Sequence, residues 1–399
     1  MALNTVSSDR LSTNVKNTNF TAAEKQDLTD DILPLATQFG QSKNLVVNGS
    51  CLVAQRGVSQ TGVAANGYAT VDRFRADQSG TDAYIEQHQV DVASGTTPYA
   101  AGLRKAFQVK NGNQTSGAGT SDRVIILYRM ESQDFANSGW NYTSSSSYIT
   151  FSYYVKSSVA QNFFVTLKTA DGTPQKYATE TGTLTANQWT KVTKTIPGNS
   201  NLQFDNDSNE GMELEWSIFR GTATTGSMSL NAWAANNNSV RTPDQTSTWY
   251  TTDDATFEIT GVQIEVGSVA TDFEHRSFSD ELLKCKRYFN MIANGDGNSY
   301  HAVSDGFFWS ANEVDFMYTF PVEMRATPSI YQVTGNNYFK IQGGGQGGTT
   351  YIDGNFTQQY GNKISTSQYA APDTSGTIGF SCHITVNNPA ARLGYNAEL

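Results

Sequence analysis

Cysteine is scarce in this sequence: Cys51, Cys285 and Cys382 are the only three among 399 residues. Odd in number, widely spaced and without a C-x-x-C pair, they exclude a disulfide framework and a structural zinc centre, and read as small buried apolar residues. Charge is scarce as well. Asp, Glu, Lys and Arg make up 16% of the chain, the formal net charge is -10, and no Lys/Arg cluster offers itself to a phosphate backbone. Nucleic acid is set aside as a partner. No apolar run approaches the ~18 residues of a membrane span, and "MALNTVSSDRLSTNVKNTNF" holds no apolar core of signal-peptide length. The expectation is a chain made and kept in a cytoplasm, without membrane insertion.

What is abundant points to strands. Aromatic residues reach 12%, glycines number 34, and Ser, Thr and Asn fill the stretches between apolar segments, a balance that favours short strands and turns. The expected fold is all-β, and the length allows more than one core. A surface rich in Thr, Ser, Asn and Tyr resembles that of β proteins outside cells. A virion protein, assembled inside a cell and exposed on release, reconciles that surface with a cytoplasmic origin.

Three segments and a joint follow from the pattern. Residues 1–43 form a polar arm ending in "FTAAEKQDLTDDILP", where Thr21 and Glu24 have capping-box spacing and Leu28, Ile32 and Leu35 share a helical face that Pro34 interrupts. This segment is either a frayed terminus or an arm that orders against partner chains through Phe20, Leu28, Ile32 and Leu35. From 44 to 276 the period is two. "YITFSYYVKS" alternates Ile149, Phe151, Tyr153 and Val155, and "MELEWSIFRG" puts Met212, Leu214, Trp216 and Ile218 on one side. Turn-rich separators indicate an antiparallel sandwich or jelly roll. In its last strand Val262, Ile264 and Val266 are expected to face in, and Gln263 and Glu265 out. Residues 277–292 are the joint: Ser277 followed by Asp280 caps a short helix, with Leu282, Lys286 and Phe289 along its stripe. A second, smaller β domain occupies 293–399, with "HAVSDGFFWS", "EVDFMYTFPVEMRATPSIYQV", "YFKIQGGGQGGTTYID" and "TIGFSCHITVNN" as its strand segments.

Familiar chemical motifs fail on spacing or context. "GGGQGG" at 343–348 satisfies G-x-G-x-x-G but lies between two strands, so no helix N-terminus is there to hold a pyrophosphate, and it reads as a mobile hairpin loop. "DNDSNEGME" at 205–213 resembles a calcium loop, yet Glu210 stands where the EF-hand needs Gly and Trp216 where it needs an acid. It leaves a solvated acidic turn as the main reading and a calcium site of another kind as the alternative. Glu213 and Glu215 share a strand face at ~7 Å, a separation used in glycoside hydrolysis, or else form a polar face opposite the apolar row. His88, His275, His301 and His383 lack ligand spacing. No catalytic residue, metal or cofactor is assigned. Aromatic residues in Ser/Thr/Asn-rich surroundings are the candidate contact set for a glycan or a protein: Trp233, Trp249, Tyr250, Trp309, Tyr351 and Tyr360.

Several segments resemble the structural and tail-fibre proteins of tailed phages, particularly cyanophages, built on a carbohydrate-binding-module-like jelly roll. They are "KNLVVNGSCLVAQRG" (43–57), "TVDRFRA" (70–76), "GVQIEVGSVATDFEHRSFSDELLKCKRYF" (261–289), "FPVEMRATPS" (320–329) and the final "YNAEL". Ala54 stands where such proteins often have a large aromatic before "QRG", and no long shaft is present. The resemblance implies a virion structural protein that is not an enzyme: a short homotrimeric tail fibre. Its N-terminus would attach to other virion proteins, a tail adaptor or nozzle, and its β domains would bind a host surface polysaccharide or receptor. Two alternatives remain open: an architectural head, neck or decoration protein, and a glycan hydrolase using Glu213 and Glu215.

Overall fold

Alternating apolar and polar residues bury one strand face and leave the other to water or a covering loop, and strand accordingly accounts for 43% of the structure against 6% helix. The computed structural model describes residues 43–295, 301–343, 345 and 349–399. Phe20, Leu28, Ile32 and Leu35, and most of the glycine loop 343–348, lie outside those residues. The fold is all-β, as the composition indicates.

The first body holds twelve strands, a 3-10 turn (Gly62–Ala65) and two one-turn α-helices. They are β1 (Ser59–Gln60), β2 (Phe74–Ser79), β3 (Glu86–Asp91), α1 (Thr97–Ala100), β4 (Lys105–Lys110), β5 (Arg123–Glu131), α2 (Ser132–Ala136) and β6 (Tyr148–Ser157). β7 (Asn162–Thr169), β8 (Gln175–Thr183), β9 (Thr190–Pro197), β10 (Glu210–Arg220), β11 (Trp233–Ala235) and β12 (Thr256–Val266) complete it. All named pairs are antiparallel, in two six-stranded sheets of order β1-β3-β4-β12-β6-β9 and β11-β8-β7-β10-β5-β2. The core lies between them. Ile149, Phe151, Tyr153 and Val155 of β6 meet Met212, Leu214, Trp216 and Ile218 of β10 there, all fully buried. Tyr153 and Trp216 rings stand edge to face at 5.7 Å.

β12 departs from simple alternation. Gly261 has φ 62°, and the register against β6 shifts between Thr260 and Gln263, so the inward set changes from Phe257 and Ile259 to Val262 and Ile264. Val266, expected to face in, is 37% exposed at the strand end. Gln263 and Glu265, expected to face solvent, are 1% exposed because the following segment folds back over them. Thr271 donates to Glu265 through N (2.9 Å) and Oγ1 (2.6 Å), and Glu274 N donates to Gln263 Oε1 (2.8 Å).

Helix α3 (Phe278–Lys286) starts where its cap predicts, with Ser277 Oγ accepting from Asp280 N. Its dry stripe is Glu281 and Cys285, continued by Tyr288 and Phe289, one position away from the expected Leu282 and Lys286. Glu281 is buried because it accepts from Asn48 N and lies 3.5 Å from Arg276. The chain then enters β13 (Phe289–Asn294), inside the stretch assigned to the joint, followed by β14 (Ala302–Ser310), β15 (Glu313–Thr319), β16 (Ser329–Val333) and β17 (Phe339–Gly343). β18 (Thr349–Ile352), β19 (Thr357–Gly361), β20 (Ser365–Ala370), β21 (Ser381–Val386) and β22 (Arg392–Asn396) follow. They make a three-stranded sheet, β13-β22-β16, and a seven-stranded sheet, β18-β17-β21-β14-β15-β20-β19. Phe308, Val314, Phe316, Phe339, Ile341 and Ile384 form a second core on the inner face of the larger sheet.

Residues 44–399 are one unit, held by a buried ionic cluster between the two cores. Arg73, 1% exposed and at φ 74°, donates to Glu398 and to the Arg129 carbonyl and lies 3.5 Å above the Tyr288 ring. Arg56 lies 3.5 Å from Glu398 and 3.5 Å above the Phe289 ring. Glu131 takes a two-point contact from Arg287 (2.7 and 2.6 Å), and Arg325 donates to the carbonyls of Ala397 (2.7 Å), Ser208 (3.0 Å) and Glu398 (3.1 Å). The three thiols lie buried and apart, unpaired. Burial pushes Cys51 up to about 12 and Cys382 up to about 11.

Removing one side of the buried pair leaves an uncompensated charge, so Arg73→Ala is expected to cost about 3–5 kcal/mol in urea unfolding, with Arg73→Met/Glu398→Leu recovering most of it. A loss below about 1 kcal/mol for Arg73→Ala would show that the pair does not hold the bodies together.

Candidate functional site

The six candidate contact aromatics separate into two groups. Trp249 and Tyr250, 0% and 1% exposed, belong to the first core and are withdrawn as contact residues. Their polar atoms are already used, Trp249 Nε1 by the Thr256 carbonyl (3.1 Å) and Tyr250 OH by Asp122 (2.9 Å), and the Tyr250 ring stacks on Phe219 at 4.3 Å. Trp233 is half-buried at the edge of β11. Its Nε1 donates to the Pro197 carbonyl (2.8 Å) and its ring lies 5.2 Å from Tyr177, which makes it a tie between the two sheets of the sandwich.

The other three share the outer face of the seven-stranded sheet. Trp309 in β14 is 61% exposed and Tyr360 in β19 is 71% exposed. Tyr351 stands opposite Lys340 in the β17–β18 pairing, on the side away from Phe339 and Ile341. The face also carries two residues that the sequence did not single out, Phe307 (41% exposed) and Met317 (67%). Phe307 and Trp309 rings meet edge to face at 6.4 Å. At the β19 end a shallow depression of about 450 Å³ is lined by Met317, Gln359, Tyr360, Asn362, Ser365 and Ser367 among others. An apolar floor with amide and hydroxyl walls suits a ligand with one C–H face and a polar rim.

Strand register orders this face into rows. Ser381, Phe307, Asp315, Tyr369 and Thr357 lie side by side across β21, β14, β15, β20 and β19. The adjacent row contains Gln342, His383 and Asp305 at one end and Met317, Ser367 and Tyr360 at the other. His383 Nδ1 lies 2.5 Å from Asp305 Oδ1. Cys382, its neighbour, points into the core, as alternation requires.

The carboxylate pair of β10 has a different job. Glu213 and Glu215 are 6% and 4% exposed and each is ion-paired. Glu213 meets Arg129 and Lys168, both at 2.8 Å, and Glu215 takes a two-point contact from Arg220 (2.8 and 2.7 Å) and a hydrogen bond from Ser217 Oγ (2.6 Å). Burial alone would raise the Glu215 carboxyl; Arg220 overrides it and holds the group down at about 2. A carboxyl so held does not deliver a proton to a leaving group, which removes the geometric basis for a hydrolase built on this pair.

The acidic loop is occupied with its own backbone. Asp207 accepts from Asn209 N (3.0 Å) and Nδ2 (2.5 Å), and the Asp207 and Asn209 carbonyls accept from Gln133 N and Ser132 N, both at 2.9 Å. Among the described residues no three His, Cys, Asp or Glu side chains gather as they would around a metal ion. No helix among them is long and apolar enough to cross a membrane.

No family model and no curated protein matches this chain. Among solved structures it is similar to the enzymatically active domain of tailspike protein 4 of bacteriophage CBA120, at 8% identity and a TM-score of 0.29 over 56% of this chain and 22% of that one. A putative sugar binding protein from Bacteroides thetaiotaomicron matches at 10% identity and a TM-score of 0.31, over 56% of this chain and 100% of its own. The family 11 carbohydrate-binding module from Clostridium thermocellum matches at 10% identity and a TM-score of 0.24, over 54% and 99%.

Because Glu215 is depressed in the folded state, its stabilisation is present above the unfolded carboxylate range near 4.5 and is lost as pH falls through about 2. Glu215→Gln is therefore expected to be less stable than the parent at pH 7 and to lose that deficit progressively below pH ~4.5. Thermal unfolding across that range checks it, and a deficit independent of pH would refute the assignment.

Proposed function

We propose that this chain is a glycan-binding protein without catalytic chemistry of its own, and that the outer face of its seven-stranded sheet is the binding surface. The observation that carries the reading is the placement of Trp309 and Tyr360, 61% and 71% exposed, on one face with Phe307 and Met317. Large apolar groups gathered on one face and held in water mark a contact surface. Flat rings flanked by Gln359, Asn362, Ser365 and Ser367 offer a pyranose both halves of what it needs, a stacking platform and hydrogen-bonding groups.

The wider setting we propose is a short homotrimeric fibre of a tailed phage, with residues 1–43 attached to the particle through Phe20, Leu28, Ile32 and Leu35 and the second body turned to the host surface. Its support is the resemblance of segments 43–57, 70–76, 261–289, 320–329 and 395–399 to cyanophage fibre proteins, together with the polar N-terminal arm.

The test is retention of purified protein on envelope polysaccharide extracted from a panel of cyanobacterial strains. Saturable binding to a subset is expected, with Trp309→Ala and Tyr360→Ala each weakening it about tenfold, the loss of one stacking contact of 1–1.5 kcal/mol. Both variants are expected to unfold within about 0.5 kcal/mol of the parent, since exposed positions contribute little. Binding that survives both substitutions unchanged would refute the surface. A folded protein that binds no extract would assign the face to a protein contact instead.

A further inference from the structure

The middle of the same face carries two carboxyl groups that pair with no cation among the described residues. Glu313 and Asp315 lie two residues apart in β15, on the side opposite Val314 and Phe316, which face the core. Asp315 is flanked in its row by Phe307 on one side and Tyr369 on the other, and Glu313 stands opposite Ser310, next to Trp309. Asp315 is 7% exposed and its Oδ1 has no hydrogen-bond partner. Neither carboxyl group takes part in an ion pair among the described residues. Among the strands of this sheet the only Lys or Arg is Lys340 in β17, three strands away from β15.

A buried carboxyl oxygen without a donor costs free energy, and a second acid beside it adds to the cost. Burial first, and Glu313 second, push the Asp315 carboxyl above its usual range. Elsewhere in this protein buried acids have donors of their own: Glu131, Glu215 and Glu398 meet Arg287, Arg220 and Arg73, Glu258 meets Lys156, and Glu265 accepts from Thr271 and Gln263. Here Asp315 shares a side-chain hydrogen bond with Glu313, its Oδ1 stays unanswered, and no base among the described residues completes the pair. Two carboxyl groups are too few to hold a metal ion, and among the described residues no third acid or histidine joins them. They are enough for an ammonium group, which needs two or three acceptors and gains further from aromatic faces. Phe307, Trp309 and Tyr369 supply those faces.

On the glycan reading given above, we propose that Asp315 and Glu313, walled by Phe307, Trp309 and Tyr369, form a subsite for the protonated amine of an amino sugar. The ligand class is thus a saccharide with at least one free amine, and saccharides bearing carboxylate or sulfate are rejected by the same two acids.

The test is calorimetric titration of the full chain at mildly acidic pH with three tetrasaccharides: β-1,4-linked glucosamine, its fully N-acetylated form and a galacturonate tetramer. Loss of one charge-assisted contact predicts that the free amine binds about tenfold or more tighter than the N-acetylated form, and that the galacturonate does not bind. Asp315→Asn and Glu313→Gln are each expected to reduce amine binding to the level of the N-acetylated ligand without weakening the latter, and Asp315→Asn to leave the unfolding temperature unchanged or raised. Equal affinity for the amine and N-acetyl forms, amine binding insensitive to both substitutions, or no amine binding at all would each overturn the subsite. In the first two cases sensitivity to Trp309→Ala would still support the glycan surface, and in the third the polysaccharide retention assay decides that surface independently.

Discussion

The pairing of Arg73 with Glu398 is the contact on which the arrangement of the two cores depends. A guanidinium 1% exposed is tolerable only if its charge is answered, and the answer comes from 325 residues further along the chain. Around this pair the other buried ions fall into place. Arg56 stacks on Phe289, Arg287 takes Glu131, and Arg325 ties the carbonyls of the last segment to the 205–209 loop. The backbone at Arg73 is left-handed, a conformation that a long side chain holds only when its surroundings fix it. Asn48, also left-handed, fixes the neighbouring turn by donating to the carbonyls of Val53 and Asp72 and accepting from Val53 N.

The segments 43–57, 70–76, 261–289, 320–329 and 395–399 all supply residues to this region. Asn48, Gln55 and Arg56 come from 43–57, Asp72 and Arg73 from 70–76, Glu281, Arg287 and Phe289 from 261–289, Arg325 from 320–329 and Glu398 from 395–399. Read singly in the sequence they look like turns and strand ends. Their common property is spatial: a charged or amide side chain that must be buried because a second core packs over it. Segments that join two bodies carry information about architecture, and little about what the architecture binds.

The all-β class, the capped helix after Ser277 and the inward rows of β6 and β10 were legible because each rests on a local rule, which in β10 holds up to the register shift between Ser217 and Phe219. Alternation failed where a bulge changes its phase. In β12 the left-handed Gly261 shifts the inward set, and in β14 a register shift between Ala302 and Ser304 lets both Val303 and Phe308 point inward, five positions apart. That shift is what puts Phe307 and Trp309 outside, and no count along the sequence could show it. Trp249 and Tyr250 failed for another reason. Their Ser/Thr/Asp-rich neighbours suggested a surface, but the segment turns inward there, and polar side chains such as Asn111 serve its carbonyls: Asn111 Nδ2 donates to Tyr250 O (2.6 Å) and Thr252 O (3.0 Å). Local polarity reported hydrogen-bonding demand rather than exposure.

The span between Arg73 and Glu398 also sets a clock. A ribosome adding about 5–20 residues per second needs roughly 16–65 s to travel from one to the other. For that interval the first sandwich can complete both of its sheets while the guanidinium at its rim has no acid to meet and the Tyr68 hydroxyl lacks the Leu399 carbonyl it donates to. The nascent first sandwich is therefore most exposed to chaperones and proteases before Glu398 emerges, and a ribosome that stalls short of that residue leaves a product without the lock between the two cores.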